Sequence, residues 1–336
     1  MEGIYDVKSE RFAVMQKLLS EEHFLVKNNL LEIVPADFFN DTEMRFTDSA
    51  LQMLNECDLK FFGNKKIRNN VIEPSEIATR ELIFDEEEMT QLKTLSKLLQ
   101  QEKFIETQHK LQEKNLPKGI TVLLHGFPGT GKTEVVMQLA KSTNRKIMKV
   151  DISQTKSKWF GDSEKIIKKI FTDYKSFAKE CEQTPILLFN EADAIISKRK
   201  EVDSSNVAQT ENALQNILLE ELENFDGILM ATTNLAENLD SAFERRFLFK
   251  VNFQKPSSEV RAKIWKSKIA TLRSWQYNNL AEKFNFSGGQ IDNIIRKINI
   301  EEIVHGSSVN FDKVEQFCRE ESFSAQPSTI GFINIK

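Results

Sequence analysis

Glycine is scarce in this sequence. There are 12 in 336 residues, about half the usual share of roughly 7%. A chain this sparing with glycine places each one where the backbone needs it, and Gly119, Gly126, Gly129 and Gly131 crowd into one short stretch. Cysteine is scarcer still. Cys57, Cys181 and Cys318 are odd in number and far apart. That excludes a disulfide framework and a zinc spacing, and it points to reduced thiols in a cytoplasmic protein. No run of about 18 apolar residues occurs, so no membrane-spanning helix and no membrane partner are expected. The opening, Met1-Glu2-Gly3-Ile4-Tyr5-Asp6-Val7-Lys8, lacks a basic stretch before an apolar core and does not read as a secretory signal. Positive charge is not in excess either. The 46 Lys and Arg face 50 Asp and Glu, for a net charge of -4, so no nucleic-acid partner is expected. The small basic cluster Lys65, Lys66 and Arg68 reads as a solvated face.

What is present suits a folded chain. Hydrophobic residues make up 40% and charged residues 29% of the sequence, and the length allows about two domains with their own cores. Residues 1–78 mix helical spacing (Phe12, Met15, Leu18, Leu19) with apolar pairs, and Asn69, Asn70, Pro74 and Ser75 punctuate their end. A small, mostly helical module is expected there. In residues 79–254, Asp85 and Glu88 resemble a capping box ahead of Met89, Leu92, Leu95 and Leu98. Short apolar runs then alternate with helical stretches: Ile120–Leu124, Lys146–Val150, Ile186–Phe189, Ile228–Thr232 and Phe247–Val251. Buried strands alternating with helices predict an α/β fold with a parallel sheet covered on both faces, in three layers. Residues 255–321 show helical periodicity alone and predict a small helical domain. Residues 322–336 form a tail ending in an apolar cluster.

The strand at Ile120–Leu124 runs into Gly126-Phe127-Pro128-Gly129-Thr130-Gly131-Lys132-Thr133, followed by Glu134 and a helix. This is G-x-x-x-x-G-K-[ST] in its proper strand–loop–helix setting. Glycines let backbone N–H groups curl around phosphate oxygens, and the helix N-terminus adds positive dipole. Lys132 would reach the β- and γ-phosphates of ATP, or the β-phosphate of ADP, and Thr133 would offer its hydroxyl to Mg²⁺.

The run Ile186-Leu187-Leu188-Phe189 ends in Asn190-Glu191, polar residues delivered to the C-terminal edge of a buried strand. Glu191 would orient and polarise an attacking water. Asn190 stands where an Asp is usual. Its amide accepts a hydrogen bond from a metal-bound water but carries no negative charge. Two readings follow: Thr133 and the nucleotide hold Mg²⁺ well enough, or turnover is weakened. Asp193 reads as a structural residue. Ala231-Thr232-Thr233-Asn234 closes another strand and would set the Asn234 amide between γ-phosphate and water. Arg245 and Arg246, before the last strand, suit stabilisation of transition-state charge on a phosphate.

Taken in order, these segments resemble the AAA ATPases. Ser157-Lys158-Trp159-Phe160-Gly161-Asp162-Ser163-Glu164-Lys165 is similar to the first pore loop of the classical AAA group, close to katanin and spastin. The resemblance covers about residues 80–315. It implies a P-loop AAA+ sheet followed by a helical lid, and a homo-oligomeric ring, usually a hexamer, with ATP at subunit boundaries. Lys132, Thr133, Asn190, Glu191 and Asn234 would act in cis and Arg245 and Arg246 in trans. Lys158, Trp159, Phe160 and Gly161 would line a pore that grips a polypeptide substrate, chosen directly or through an adaptor by residues 1–78. Residues 198–211 occupy the place of a second pore loop. Gly288 and Gly289, in Ser287-Gly288-Gly289-Gln290, stand where the lid helix approaches the nucleotide; no arginine occupies that place, in keeping with the classical group.

The function expected is ATP-driven remodelling of a protein. The alternative is a slow or hydrolysis-deficient nucleotide switch, because of Asn190.

Overall fold

The computed structural model describes residues 13–14, 16–18, 20–34, 43–47, 49–50, 53, 70–151, 163–197, 206–234 and 239–323. The chain divides into two compact units, Met1–Asn69 and Asn70–Lys336. In the first, a short helix α1 (Phe24–Lys27) precedes an antiparallel pair, β1 (Leu31–Val34) and β2 (Glu43–Phe46). The helical spacing of this region did not signal that pair.

The division falls ahead of the boundary expected at residue 78. Val71 and Ile72 form strand β3, which joins the sheet of the second unit antiparallel to β5. Two apolar residues before Pro74 are too short a run to register as a strand in the sequence. Helices α2 (Glu86–Leu98) and α3 (Gln101–Glu113) follow. Glu86, Glu87 and Glu88 in the first turn of α2 complement its dipole. The capping box read at Asp85 and Glu88 does not form. Asp85 Oδ2 instead accepts from the Ser257 amide (3.0 Å) and Glu88 Oε1 from the Gln254 amide (3.4 Å). The start of α2 thereby clasps the segment that leads to the helical domain.

The alternation then runs β4 (Ile120–Gly126), α4 (Lys132–Ser142), β5 (Ile147–Asp151), α5 (Ser163–Glu180), β6 (Ile186–Asn190), α6 (Asp193–Ile196), α7 (Asn206–Glu223), β7 (Ile228–Thr233), α8 (Ser241–Arg246) and β8 (Phe249–Phe253). The strand order is β3-β5-β6-β7-β4-β8, and every pairing except that of β3 is parallel. Successive strand residues point to opposite faces. Leu187 and Phe189 enter one core with Phe171, Tyr174 and Phe225, whereas Ile186 and Leu188 enter the other with Leu95, Phe104 and Val136. The sheet is thus buried on both sides, which is why its strands read as continuous apolar runs.

Helices α9 (Ser258–Lys268), α10 (Ser274–Lys283), α11 (Gly288–His305) and α12 (Phe311–Phe323) surround a third core built on Trp265, Leu280, Ile291, Ile294 and Val314. Gly306, left-handed at φ 66°, ends α11. Among the described residues, no helix is long and apolar enough to cross a membrane.

Candidate nucleotide-binding site

Parallel strands end at one edge of their sheet, and ligands of open α/β sheets bind outside that edge. Here it carries Gly126, Asp151, Asn190 and Thr233, the last residues of β4, β5, β6 and β7. Gly126 has φ 127°, and a Cβ on it would lie 2.1 Å from the Phe253 carbonyl oxygen. Only glycine lets the chain leave β4 there. The loop then turns through left-handed Gly129 and Gly131, and Gly131 caps α4. Thr130 Oγ1 donates to the Phe127 carbonyl (2.8 Å) and tightens the loop from within.

Lys132 is buried, and its ammonium donates to the carbonyls of Gly126 (3.0 Å) and Phe127 (2.7 Å). Burial pushes this ammonium down to about 8, and the charge of Asp193 pulls the other way. A desolvated cation at the mouth of a glycine loop is suited to an anionic phosphate. Thr133 Oγ1 donates to Asn190 Oδ1 (2.9 Å), and Thr232 Oγ1 donates to the same oxygen (3.3 Å). The Asn190 amide nitrogen donates in turn to Asp151 Oδ1 (3.3 Å).

Glu191 is exposed immediately beyond β6, with φ 52°. A non-glycine residue in the left-handed region costs about 1 kcal/mol or more. The Glu191 amide is steadied by donating to Thr232 Oγ1 (3.1 Å). Asp193 accepts from the Thr233 hydroxyl and from the Asn234 amide (3.0 Å). It therefore fixes the end of β7, where Asn234 stands exposed.

Glu134, beside the loop, lines the same cleft as Gly129 and Gly131. It pairs with Arg80 (3.1 Å), and Gln138 bonds the Ala78 carbonyl and the Arg80 amide. The segment ahead of α2 is thereby stitched to α4. It forms one wall of a cleft of about 240 Å³, lined among others by Leu82, Phe84, Gly131, Ile264 and Gly289. Sequence reading missed this wall, because nothing in residues 77–85 signals that they pack beside a loop about fifty positions away. Gly288 and Gly289 reach the loop, and the Gly289 amide donates to the Gly129 carbonyl (2.7 Å). Ser287 opens that helix with a capping box closed by Gln290.

Arg245 and Arg246 end α8 and line a separate concavity of about 560 Å³ with Leu111, Leu116 and Phe225. Arg246 pairs with Glu223 and donates to the Ala242 carbonyl (3.3 Å). Arg245 is exposed. Lys158, Trp159, Phe160 and Gly161 lie outside the described residues, as do residues 198–205. Asn206 already begins α7.

A glycine loop between a buried strand and a helix, with a lysine, a threonine and polar strand ends around it, defines a P-loop nucleotide-binding domain. Residues 122–255 match the ATPase family associated with various cellular activities (AAA). The chain is 31% identical over 191 residues to Fidgetin-like protein 1 of Drosophila melanogaster, across 54% of this chain and 34% of that protein. It is 29% identical over 181 residues to Vacuolar protein sorting-associated protein 4 of Dictyostelium discoideum, across 52% and 40%. It is 32% identical over 186 residues to 26S proteasome regulatory subunit 8 homolog B of Arabidopsis thaliana, across 52% and 42%. Residues 122–255 are thus similar to the ATPase domain of these AAA proteins. The matches span well under half the length of these relatives.

Proposed function

We propose that this protein hydrolyses ATP in a ring, a hexamer of identical subunits, and uses the energy to remodel a polypeptide drawn through the central pore. The convergence of Lys132, Thr133, Asn190, Glu191 and Asn234 on one sheet edge carries this reading. Lys132 binds the phosphates. Glu191 takes a proton from the attacking water. Asn234, held through Asp193, orients that water against the terminal phosphate. Arg245, exposed at the end of α8, reaches the neighbouring subunit's nucleotide and stabilises charge on the transferred group. Arg246, already bonded within its own subunit, sets the position of α8.

The donors at the sheet edge are a hydroxyl, an amide oxygen and a carboxylate, the hard oxygen set that suits Mg²⁺. Thr133 and Asn190 would hold the ion, Asn190 through a water, and the ion would supply positive charge to the phosphate oxygens. The apolar cleft beside Gly131 and Gly289 suits the adenine base. Trp159 and Phe160 would grip the substrate, since aromatic rings contact varied chain without a matched hydrogen bond. Residues 1–78 would choose the substrate or its adaptor. The free thiols of Cys181 and Cys318 suit a reducing compartment such as the cytoplasm.

The neutral Asn190 supports a second reading, a nucleotide-assembled switch with slow turnover. Molar mass and ATPase rate, each with and without ATP and Mg²⁺, separate the two. Glu191→Gln is expected to trap ATP and stabilise the ring, and Trp159→Ala to keep hydrolysis but lose work on substrate. A permanent monomer without turnover overturns the ATPase reading. A sharp rise in rate on Asn190→Asp favours the switch.

A further inference from the structure

Asn190 removes a negative charge from the place where the phosphate loop would meet a divalent cation. The adjacent strand restores one. In the parallel register of β5 and β6, Asp151 is the cross-strand partner of Asn190, so both residues leave the sheet at the same edge. Neighbouring strands lie about 4.8 Å apart, close enough for the two side chains to bond directly. The Asn190 amide nitrogen does donate to Asp151 Oδ1 at 3.3 Å, while its oxygen accepts from Thr133 at 2.9 Å.

We propose that Asp151 supplies the carboxylate that position 190 lacks, so that the acidic member of the magnesium site has moved from β6 to β5. This rests on the nucleotide-site reading above and deepens it. An amide can accept from the threonine hydroxyl and donate to a carboxylate at once, which a carboxylate at position 190 cannot. A carboxylate at position 190 would instead face Asp151 as a like charge, which is unfavourable between directly opposed strand neighbours. Asn190 and Asp151 are therefore a matched pair carrying one negative charge, shared across two strands.

Magnesium at nucleotide sites keeps several waters and takes one or two carboxylates besides the phosphates. Asp151 acts in that shell as a positioning residue, accepting from a metal-bound water and orienting the Asn190 amide. It also pairs with Lys149 at 3.2 Å, with both side chains about a third exposed. An ion pair at that exposure is weak, and a doubly charged ion outcompetes it.

The test uses the full chain with ADP and manganese(II) in place of magnesium, following bound manganese by electron paramagnetic resonance. Asp151→Asn is expected to weaken manganese binding to the ADP complex by about 10- to 100-fold, the usual effect of losing a partner beyond the direct ligands. ADP affinity measured in EDTA stays unchanged. The exchange variant Asp151→Asn/Asn190→Asp, which returns the carboxylate to β6, recovers manganese binding. A purely structural Asp151 would lower ADP binding in EDTA as well and would not be rescued by the exchange. Manganese binding in Asp151→Asn equal to the wild type overturns the assignment, as does an exchange variant that stays weak. Wild-type protein that binds no ADP overturns the nucleotide-site reading itself.

Discussion

The Gly289 amide donates to the Gly129 carbonyl at 2.7 Å, joining the first turn of α11 to the glycine loop after β4. A Cβ on Gly289 would lie 3.0 Å from the Gly129 Cα and 3.2 Å from its carbonyl oxygen. Both are backbone atoms and cannot swing aside. Gly289→Val is expected to weaken nucleotide binding about tenfold, the low end of the usual overpacking cost. The melting temperature should fall too, because the gain in helix propensity on leaving glycine is smaller than the overpacking cost. Titration with a fluorescent ADP analogue reads the first effect and a melting curve the second.

Lys132 carries a pH signature. Its ammonium lies at about 8 in the folded protein, below the ordinary 10.5, chiefly because it is buried. The free protein therefore loses this charge as pH rises through about 8. A bound phosphate favours the charged form, so nucleotide affinity is full below that pH and declines above it, with a proton taken up on binding. Calorimetry in two buffers of different ionisation enthalpy measures that proton. The linkage to folding has the opposite sense. The unfolded chain holds the proton up to about 10.5, so this group's contribution to stability rises between about 8 and 10.5.

The two arginines of α8 should separate. Arg246 is tied to Glu223 and Ala242 within its own chain, whereas Arg245 is exposed. Arg245→Ala is expected to keep its melting temperature and lose about 10³-fold in ATPase rate, as for an arginine supplied in trans. Mixed with Glu191→Gln, itself inactive, it should regain activity, because each variant supplies what the other lacks. Arg246→Ala should lower the melting temperature.

Tyr174 ties two strands from within one core. Its buried hydroxyl donates to the Pro185 carbonyl (2.8 Å) and accepts from the Ile228 amide (3.1 Å). Tyr174→Phe leaves both groups unpaired and is expected to cost about 1–3 kcal/mol in urea unfolding. Nucleotide affinity should be unchanged.

Much of the site is legible along the chain. The phosphate loop is contiguous, and its glycines, lysine and threonine act through local geometry, so their spacing alone carries the chemistry. Asn190 and Asn234 are legible for a related reason. Each follows an apolar run that must be a buried strand, and such a strand delivers its last residues to the ligand edge. Asp151 ends its run in the same way, but a single Asp after a strand has no meaning until the neighbouring strand is known.

Asp85 and Glu88 show the limit from the other side. Their spacing fits a local cap, yet the amides of Ser257 and Gln254 take their oxygens. Those amides lie far along the chain and leave no trace in the local pattern. The antiparallel edge of Val71 and Ile72, the wall at residues 77–85 and the pairing of Arg246 with Glu223 are of the same kind. By itself the sequence determined the alternation of strands and helices, the phosphate loop and the polar ends of its neighbouring strands, because these follow from periodicity and short-range geometry. Tertiary structure alone decided strand order, and with it which carboxylate stands beside Asn190 and which glycine meets Gly129. Pairing between strands and contact between domains join residues whose separation along the chain carries no signal.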